Sequence, residues 1–327
     1  MSNRDAIFSP RRLGHVNIFV GAVQESCKFY RMICGLEQVY FEDDIQMGFM
    51  SNGRSNHDLG LMQSMNKPRI GKDGYVQPST GRGSEASLNH LAFELESPKA
   101  LVDAYNRATE GKVSISATCD HGLARSIYLL DPDGHMVEFY ADAVEDWREF
   151  YRKGANSLLT SNWDPHASPP SEKPLFVEEF QPARVSDAVV HARGIHSAAI
   201  TVSNLARSVR FYEEVGGMSV LTEGAGGSVA LRGSLGEPTL TLVERSGGQK
   251  LGLHHMSLQL EEPIGLENLE KQMASNGVPI LADIRHSGGR SMFVRDTDGF
   301  LVELFHGRYG YAAAGVLGAT TTPKALQ

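Results

Sequence analysis

The stretch CDHGLARSIYLLDPDGHMVEFY, residues 119–140, decides the fold. Asp131-Pro132-Asp133-Gly134 is turn chemistry: the proline fixes φ, and Gly134 can take the left-handed conformation that closes a three-residue hairpin loop. With Asp131 facing His135 across that loop, Tyr128 falls opposite Glu138, and directly opposed residues share one sheet face. Val137 and Phe139 then point to the other face, as the two-residue side-chain period requires. A carboxylate thus interrupts an apolar strand beside a tyrosine, with His121 entering from just upstream. Taken alone, such a pair is a hydrogen bond on a wet sheet face. The rest of the chain argues for more.

The chain repeats itself. LGHVNIFVGAVQESCKFYRMICGLEQV (13–39) resembles IHSAAITVSNLARSVRFYEEVGGMSV (195–220), and LNHLAFELESPKALVDAYNRATEGKVSI (88–115) resembles LHHMSLQLEEPIGLENLEKQMASNGVPI (253–280). Each reads as strand, helix and Gly turn, giving four modules in two pairs. The second and fourth modules end in hairpins with matching punctuation, DPDG at 131–134 and DTDG at 296–299. Glu138 lies 48 residues after His90, and Glu303 lies 48 after His255.

Between the halves, NWDPHASPPSEKPL (162–175) reads as a Pro/Ser-rich linker, and EDWREFYRKGANSLL before it as a short amphipathic helix. The expected organisation is an N-terminal domain over 1–145, a helix and linker over 146–192, and a C-terminal domain over 193–327. A Gly- and Pro-rich insertion near 64–87 is a candidate rim or oligomer contact, and the tail after Tyr311 reads as frayed. Of 327 residues, 41% are hydrophobic and 21% charged, which is ordinary globular composition. A net charge of −8 gives no footprint for nucleic acid or an anionic membrane, so a small-molecule partner is expected. The N-terminus lacks an apolar core of signal-peptide length and no apolar run approaches a membrane span, which predicts a cytoplasmic protein. Cys27, Cys34 and Cys119 lack CxxC spacing and read as buried thiols.

The first strand of each half begins near a histidine, so His, His and Glu form the recurring set. Two imidazoles and one carboxylate leave three coordination positions open, which suits non-haem Fe(II) oxygen chemistry better than structural zinc. At this point the sequence resembles the vicinal oxygen chelate superfamily, and within it the type I extradiol ring-cleavage dioxygenases. The resemblance runs from about residue 13 to 307. It is most specific in His121-GLARS-Ile127-Tyr128-LL-Asp131-Pro132-Asp133-Gly134-HMV-Glu138, which fits the extradiol signature except at Cys119. The second half departs from it, with Phe293 for the Tyr and Thr297 for the Pro. The resemblance implies an α+β fold of four βαβββ modules paired into two cupped mixed β-sheet barrels.

Register chooses between the halves, because a one-residue slip moves a side chain to the opposite face. His15 precedes Tyr30 by 15 residues, whereas His196 precedes Tyr212 by 16, so Ser197 stands in the ligand register and His196 should point away unless a bulge re-aims it. Modules paired in chain order give a complete set in the first half: metal ligands His15, His90 and Glu138, with Tyr128 and His121. The second half, with Ser197, His255, Glu303, Phe293 and His286, is expected to be degenerate. By resemblance, Fe(II), with Mn(II) also compatible, would take a small aromatic diol and O2. Tyr128 would orient a substrate hydroxyl, and His121 would act as general acid/base. Competing readings are a glyoxalase-like metal-dependent isomerase or lyase, and a metal-free resistance protein that binds an aromatic ligand. A homo-oligomer is expected, since edge strands in relatives pair between subunits. His254 should face away from His255, His57, His166 and His306 should face solvent, and Phe29-Tyr30 and Phe211-Tyr212 should be core anchors.

Overall fold

A computed structural model describes residues 6–70, 74, 76–77, 82–154, 163–224, 227–261, 266–286 and 289–307. All four predicted modules are present as strand, helix and three strands. The first comprises β1 (Arg12–Val20), α1 (Val23–Met32), β2 (Glu37–Glu42), β3 (Met47–Ser51) and β4 (Leu59–Gln63). A short ribbon, β5 (Arg69–Ile70) with β6 (Val76–Gln77), lies within the insertion. The second module comprises β7 (Ser87–Glu94), α2 (Pro98–Glu110), β8 (Ala117–Asp120), β9 (Ala124–Leu130) and β10 (Met136–Asp142). After α3 (Trp147–Arg152), the third comprises β11 (Ala192–Val202), α4 (Leu205–Glu214), β12 (Ser219–Gly224), β13 (Ser228–Arg232) and β14 (Pro238–Glu244). The fourth comprises β15 (Gly252–Leu260), α5 (Leu266–Ser275), β16 (Ala282–His286), β17 (Gly289–Arg295) and β18 (Leu301–Gly307). The expected helix at 145–159 is described only as α3, and the tail after Tyr311 lies outside the described residues.

Local chemistry sets the helix starts. Ser97 accepts the Ala100 N–H at 3.2 Å with Pro98 in the first turn, and Asn204 accepts the Arg207 N–H at 2.9 Å.

Modules pair in chain order. One eight-stranded sheet runs β2-β3-β4-β1-β7-β10-β9-β8, and the other runs β12-β13-β14-β11-β15-β18-β17-β16. Each is mixed, and the first curls into a half-barrel. The alternation read for residues 136–142 is observed: Val137, Phe139 and Ala141 enter the main core, while Glu138 and Tyr140 take the other, concave face. That core is continuous across both halves, with Ile18, Phe93 and Phe139 of the first and Ile200, Met256 and Leu304 of the second.

The halves hold each other by a reciprocal clasp. Tyr30 on α1 donates to Asp296 Oδ2 of the DTDG turn at 2.7 Å, and Tyr212 on α4 donates to Asp131 Oδ2 of the DPDG turn at 3.2 Å. Next to each, a backbone N–H caps the turn's second aspartate: Gly21 to Asp298 at 2.7 Å and Ser203 to Asp133 at 2.8 Å. Both tyrosines are fully buried core anchors, as expected. Burial, opposed by the Tyr30 hydrogen bond, pushes the Asp296 carboxyl up to about 6. Among the described residues, no helix is long and apolar enough to cross a membrane.

Candidate metal centre

The hairpin forms as its sequence dictates. Gly134 sits at φ 83°, Asp131 N–H donates to the His135 carbonyl, and Glu138 pairs directly with Tyr128. Parallel pairing of β10 with β7 places Glu138 beside Ala92 and Met136 beside His90. Antiparallel pairing of β1 with β7 sets His15 opposite Ala92 and Asn17 opposite His90. Three neighbouring strands therefore aim His15, His90 and Glu138 at one point on the concave face.

Glu138 Oε2 lies 2.9 Å from His90 Nε2 and 3.4 Å from His15 Nε2. All three side chains are buried, and their ligand atoms lie within 4.8 Å of one another. Ser126 donates to the other carboxylate oxygen, Oε1, at 2.5 Å, which leaves Oε2 turned to the imidazoles. Burial pushes the Glu138 carboxyl up, but the hydrogen bonds and charge of His15 and His90 outweigh it and hold the group well below the usual carboxylate range. Burial in turn lowers His90.

The group lines a cavity whose wall includes Met47, Phe49, Met62, Leu123 and Tyr140. Among the described residues, no lysine or arginine lines it. The partners of the buried carboxylate are thus the two imidazoles, and a bound cation would neutralise it further. The donor set of two imidazoles and one carboxylate fits a divalent transition metal.

Tyr128 and His121 are brought to this group. The Tyr128 hydroxyl lies 3.0 Å from His121 Nε2, and the Tyr128 ring meets His90 edge-on at 5.6 Å. Burial, then the charge of Glu138, holds the phenol well above its ordinary value, so it stays protonated.

His57 corrects an expectation. It is buried, not solvent-facing, and its ring lies against His15 with centroids 3.9 Å apart. It follows β3 in the polar run SNGRSNHD (51–58), which reads as an exposed loop; the loop instead folds under Phe49 and Tyr151 into the cavity wall. Burial, then the neighbouring His15, holds His57 well below its ordinary value. Asn17, whose Nδ2 is 2.9 Å from His90 Nε2, was also not singled out. It lies two residues after His15, and strand periodicity alone places it on the same face. His166 is exposed as expected, and His306 is half-buried.

The second half keeps the register without the set. Ser197 stands opposite Ser257, as His15 stands opposite Ala92. Ser257 donates to Glu303 Oε2 at 2.5 Å and draws that carboxylate aside, 3.8 Å from His255 Nε2. A bulge at His196, where the first half has Gly14, brings its ring to 5.0 Å from Phe305. A further bulge corrects the reading of His254: instead of facing away, its Nδ1 lies 2.8 Å from that of His255. The side chain of His286 lies outside the described residues. Among the described residues, His15, His90 and Glu138 are the one group able to hold a metal ion.

Comparison with known proteins agrees with this fold. The family model described as the Glyoxalase/Bleomycin resistance protein/Dioxygenase superfamily matches residues 12–139 and 194–304. The catechol-2,3-dioxygenase of Bacillus subtilis (strain 168) is 25% identical over 224 residues, 68% of this chain and 70% of that protein. The Mn(II)-bound glyoxalase from Novosphingobium aromaticivorans shares the fold with a TM-score of 0.62 at 14% identity, covering 91% of this chain and 82% of that one. The 2,3-dioxygenase LapB from Pseudomonas sp. KL28 does so with a TM-score of 0.61 at 17% identity, covering 93% and 94%.

Proposed function

The chain belongs to the Glyoxalase/Bleomycin resistance protein/Dioxygenase superfamily, and from that premise we propose that it is an extradiol dioxygenase that opens a catechol-type ring beside its vicinal hydroxyls with O2. His15, His90 and Glu138 hold the metal, Fe(II) or Mn(II), in the N-terminal half, and the C-terminal half is degenerate. The observation that carries this reading is the convergence of that donor set with Tyr128 and His121 in one largely apolar cavity.

When bound, the metal supplies open positions for two adjacent diol oxygens and for O2, and passes charge between ring and oxygen. The protein supplies the rest. Met47, Phe49, Met62 and Leu123 form an apolar wall that takes the ring and excludes water. Tyr128, held protonated, donates to a substrate oxygen and fixes which hydroxyl lies deepest. His121 bonds Tyr128 and is only half-buried, so it can exchange a proton with solvent. His57 is neutral, lines the cavity, and its Nε2 has no hydrogen-bond partner among the described residues, which suits it to receive a hydroxyl proton. In a metal-free ligand-binding protein the charge that neutralises Glu138 would have to come from His15 and His90 themselves.

Anaerobic purification, metal analysis, and addition of catechols with air test the proposal. The expected result is iron or manganese with a yellow ring-opened product. Metal without product across a series of catechols would favour an isomerase, and a protein that binds no metal would favour the ligand-binding alternative.

A further inference from the structure

His57 does not stand alone in the cavity wall. Its Nδ1 lies 2.5 Å from Asn56 Oδ1, and Asn56 Nδ2 donates to Asp142 Oδ1 at 3.4 Å. Asn56 is 2% exposed, so its amide has few alternative partners. Asp142 ends β10, four residues beyond Glu138, and lines a second, outer hollow beside Trp163 and Pro165.

We propose that Asp142 and Asn56 are positioning residues that fix the tautomer of His57, keeping the proton on Nδ1 and the Nε2 lone pair available to substrate. A carboxylate oxygen accepts and does not donate, so Asp142 draws the Nδ2 end of the Asn56 amide toward itself. That turns Oδ1 to His57, and an acceptor there requires the imidazole proton on Nδ1. The reversed amide would set Asn56 Oδ1 against Asp142 Oδ1, two acceptors in contact, and would donate to His57 Nδ1, leaving Nε2 as the N–H. The hydrogen bond made by one ring nitrogen thus decides the chemistry of the other. Burial, then the charge of Glu94, pushes the Asp142 carboxyl up to about 8. The assignment holds for the ionised carboxylate; a proton on Oδ1 would let Asp142 donate to the reversed amide, so the tautomer is read well above that pH. The role of His57 rests on the proposed dioxygenase reading; its tautomer does not.

The test is long-range nitrogen–proton correlation NMR on the full-length, histidine-labelled protein loaded with diamagnetic Zn(II), with His57→Gln to assign the ring. The expected wild-type spectrum shows His57 protonated at Nδ1. Asp142→Leu should shift the tautomer ratio at least about fivefold toward Nε2–H, the worth of one lost hydrogen bond. Asp142→Asn, which can accept or donate, should give a ratio between those of the wild type and Asp142→Leu. If Asp142→Leu does not fold, Asn56→Leu gives the same readout. A wild type dominated by Nε2–H, or a ratio unmoved in the folded leucine variant, overturns the assignment. In turnover, Asp142→Leu should lower kcat about tenfold with KM unchanged, since the base is lost and the binding wall is not. Absence of ring cleavage in the wild type would defeat the dioxygenase reading and leave the tautomer result standing.

Discussion

The two halves are built alike and equipped differently. They share strand order, register and hairpin, and each buries a glutamate on the concave face of its sheet. Among the differences between them are Ser197 where His15 stands, Ser257 for Ala92, Phe293 for Tyr128, and His196 for Gly14. The first removes a metal donor. The second gives the glutamate a hydroxyl, so that it turns from its histidine. The third removes the phenol, and the fourth changes what packs on the ring two residues past the glutamate. A site of this kind is decided by a few side chains on one face, while packing on the other face maintains the fold.

The largest effect should come from the paired glutamates. Glu138→Gln should lose bound metal, with affinity falling by more than the roughly 10–100-fold typical of outer-shell partners, while Glu303→Gln should keep it. Metal analysis after dialysis reads both, and equal losses would break the comparison. The aromatic pair comes next. Tyr128→Phe, which copies Phe293, should reduce kcat about 100-fold with metal content unchanged. Phe293→Tyr should do nothing to turnover.

Gly14 offers a smaller effect through packing. A Cβ there would strike the Tyr140 hydroxyl and ring, and Tyr140 itself lies 5.3 Å from His15. Gly14→Ala should cost about 1–3 kcal/mol of stability in denaturant titration and weaken metal binding with it. The smallest effects sharpen the likeness of the halves. Tyr30→Phe and Tyr212→Phe each remove one clasp hydrogen bond and should each cost about 1 kcal/mol. Urea midpoints that differ widely between the two would show that the clasp is not reciprocal.

Much of this was legible from local rules. The Asp-Pro-Asp-Gly turn fixed the hairpin register, the register set Tyr128 beside Glu138, and the one-residue offset between His15 and His196 identified Ser197 as the misfit. His57 and Asn56 were not legible, because their burial comes from a polar loop closing against Tyr151 and His15, a tertiary event that composition reads the other way. His254 was misread for a related reason. A bulge changes the two-residue alternation, and no residue type in LHHMS announces one. The turn aspartates revealed their turns but not their partners, since Tyr30 and Tyr212 reach them from the opposite half.

The most direct measurement compares His90→Ala with His255→Ala. Both proteins would be purified anaerobically, loaded with Fe(II), and followed for ring-opened product after addition of a catechol and air. One metal per chain and full turnover are expected in His255→Ala, and neither in His90→Ala. Turnover that survives in His90→Ala and disappears in His255→Ala would place the active centre in the second half and contradict this expectation.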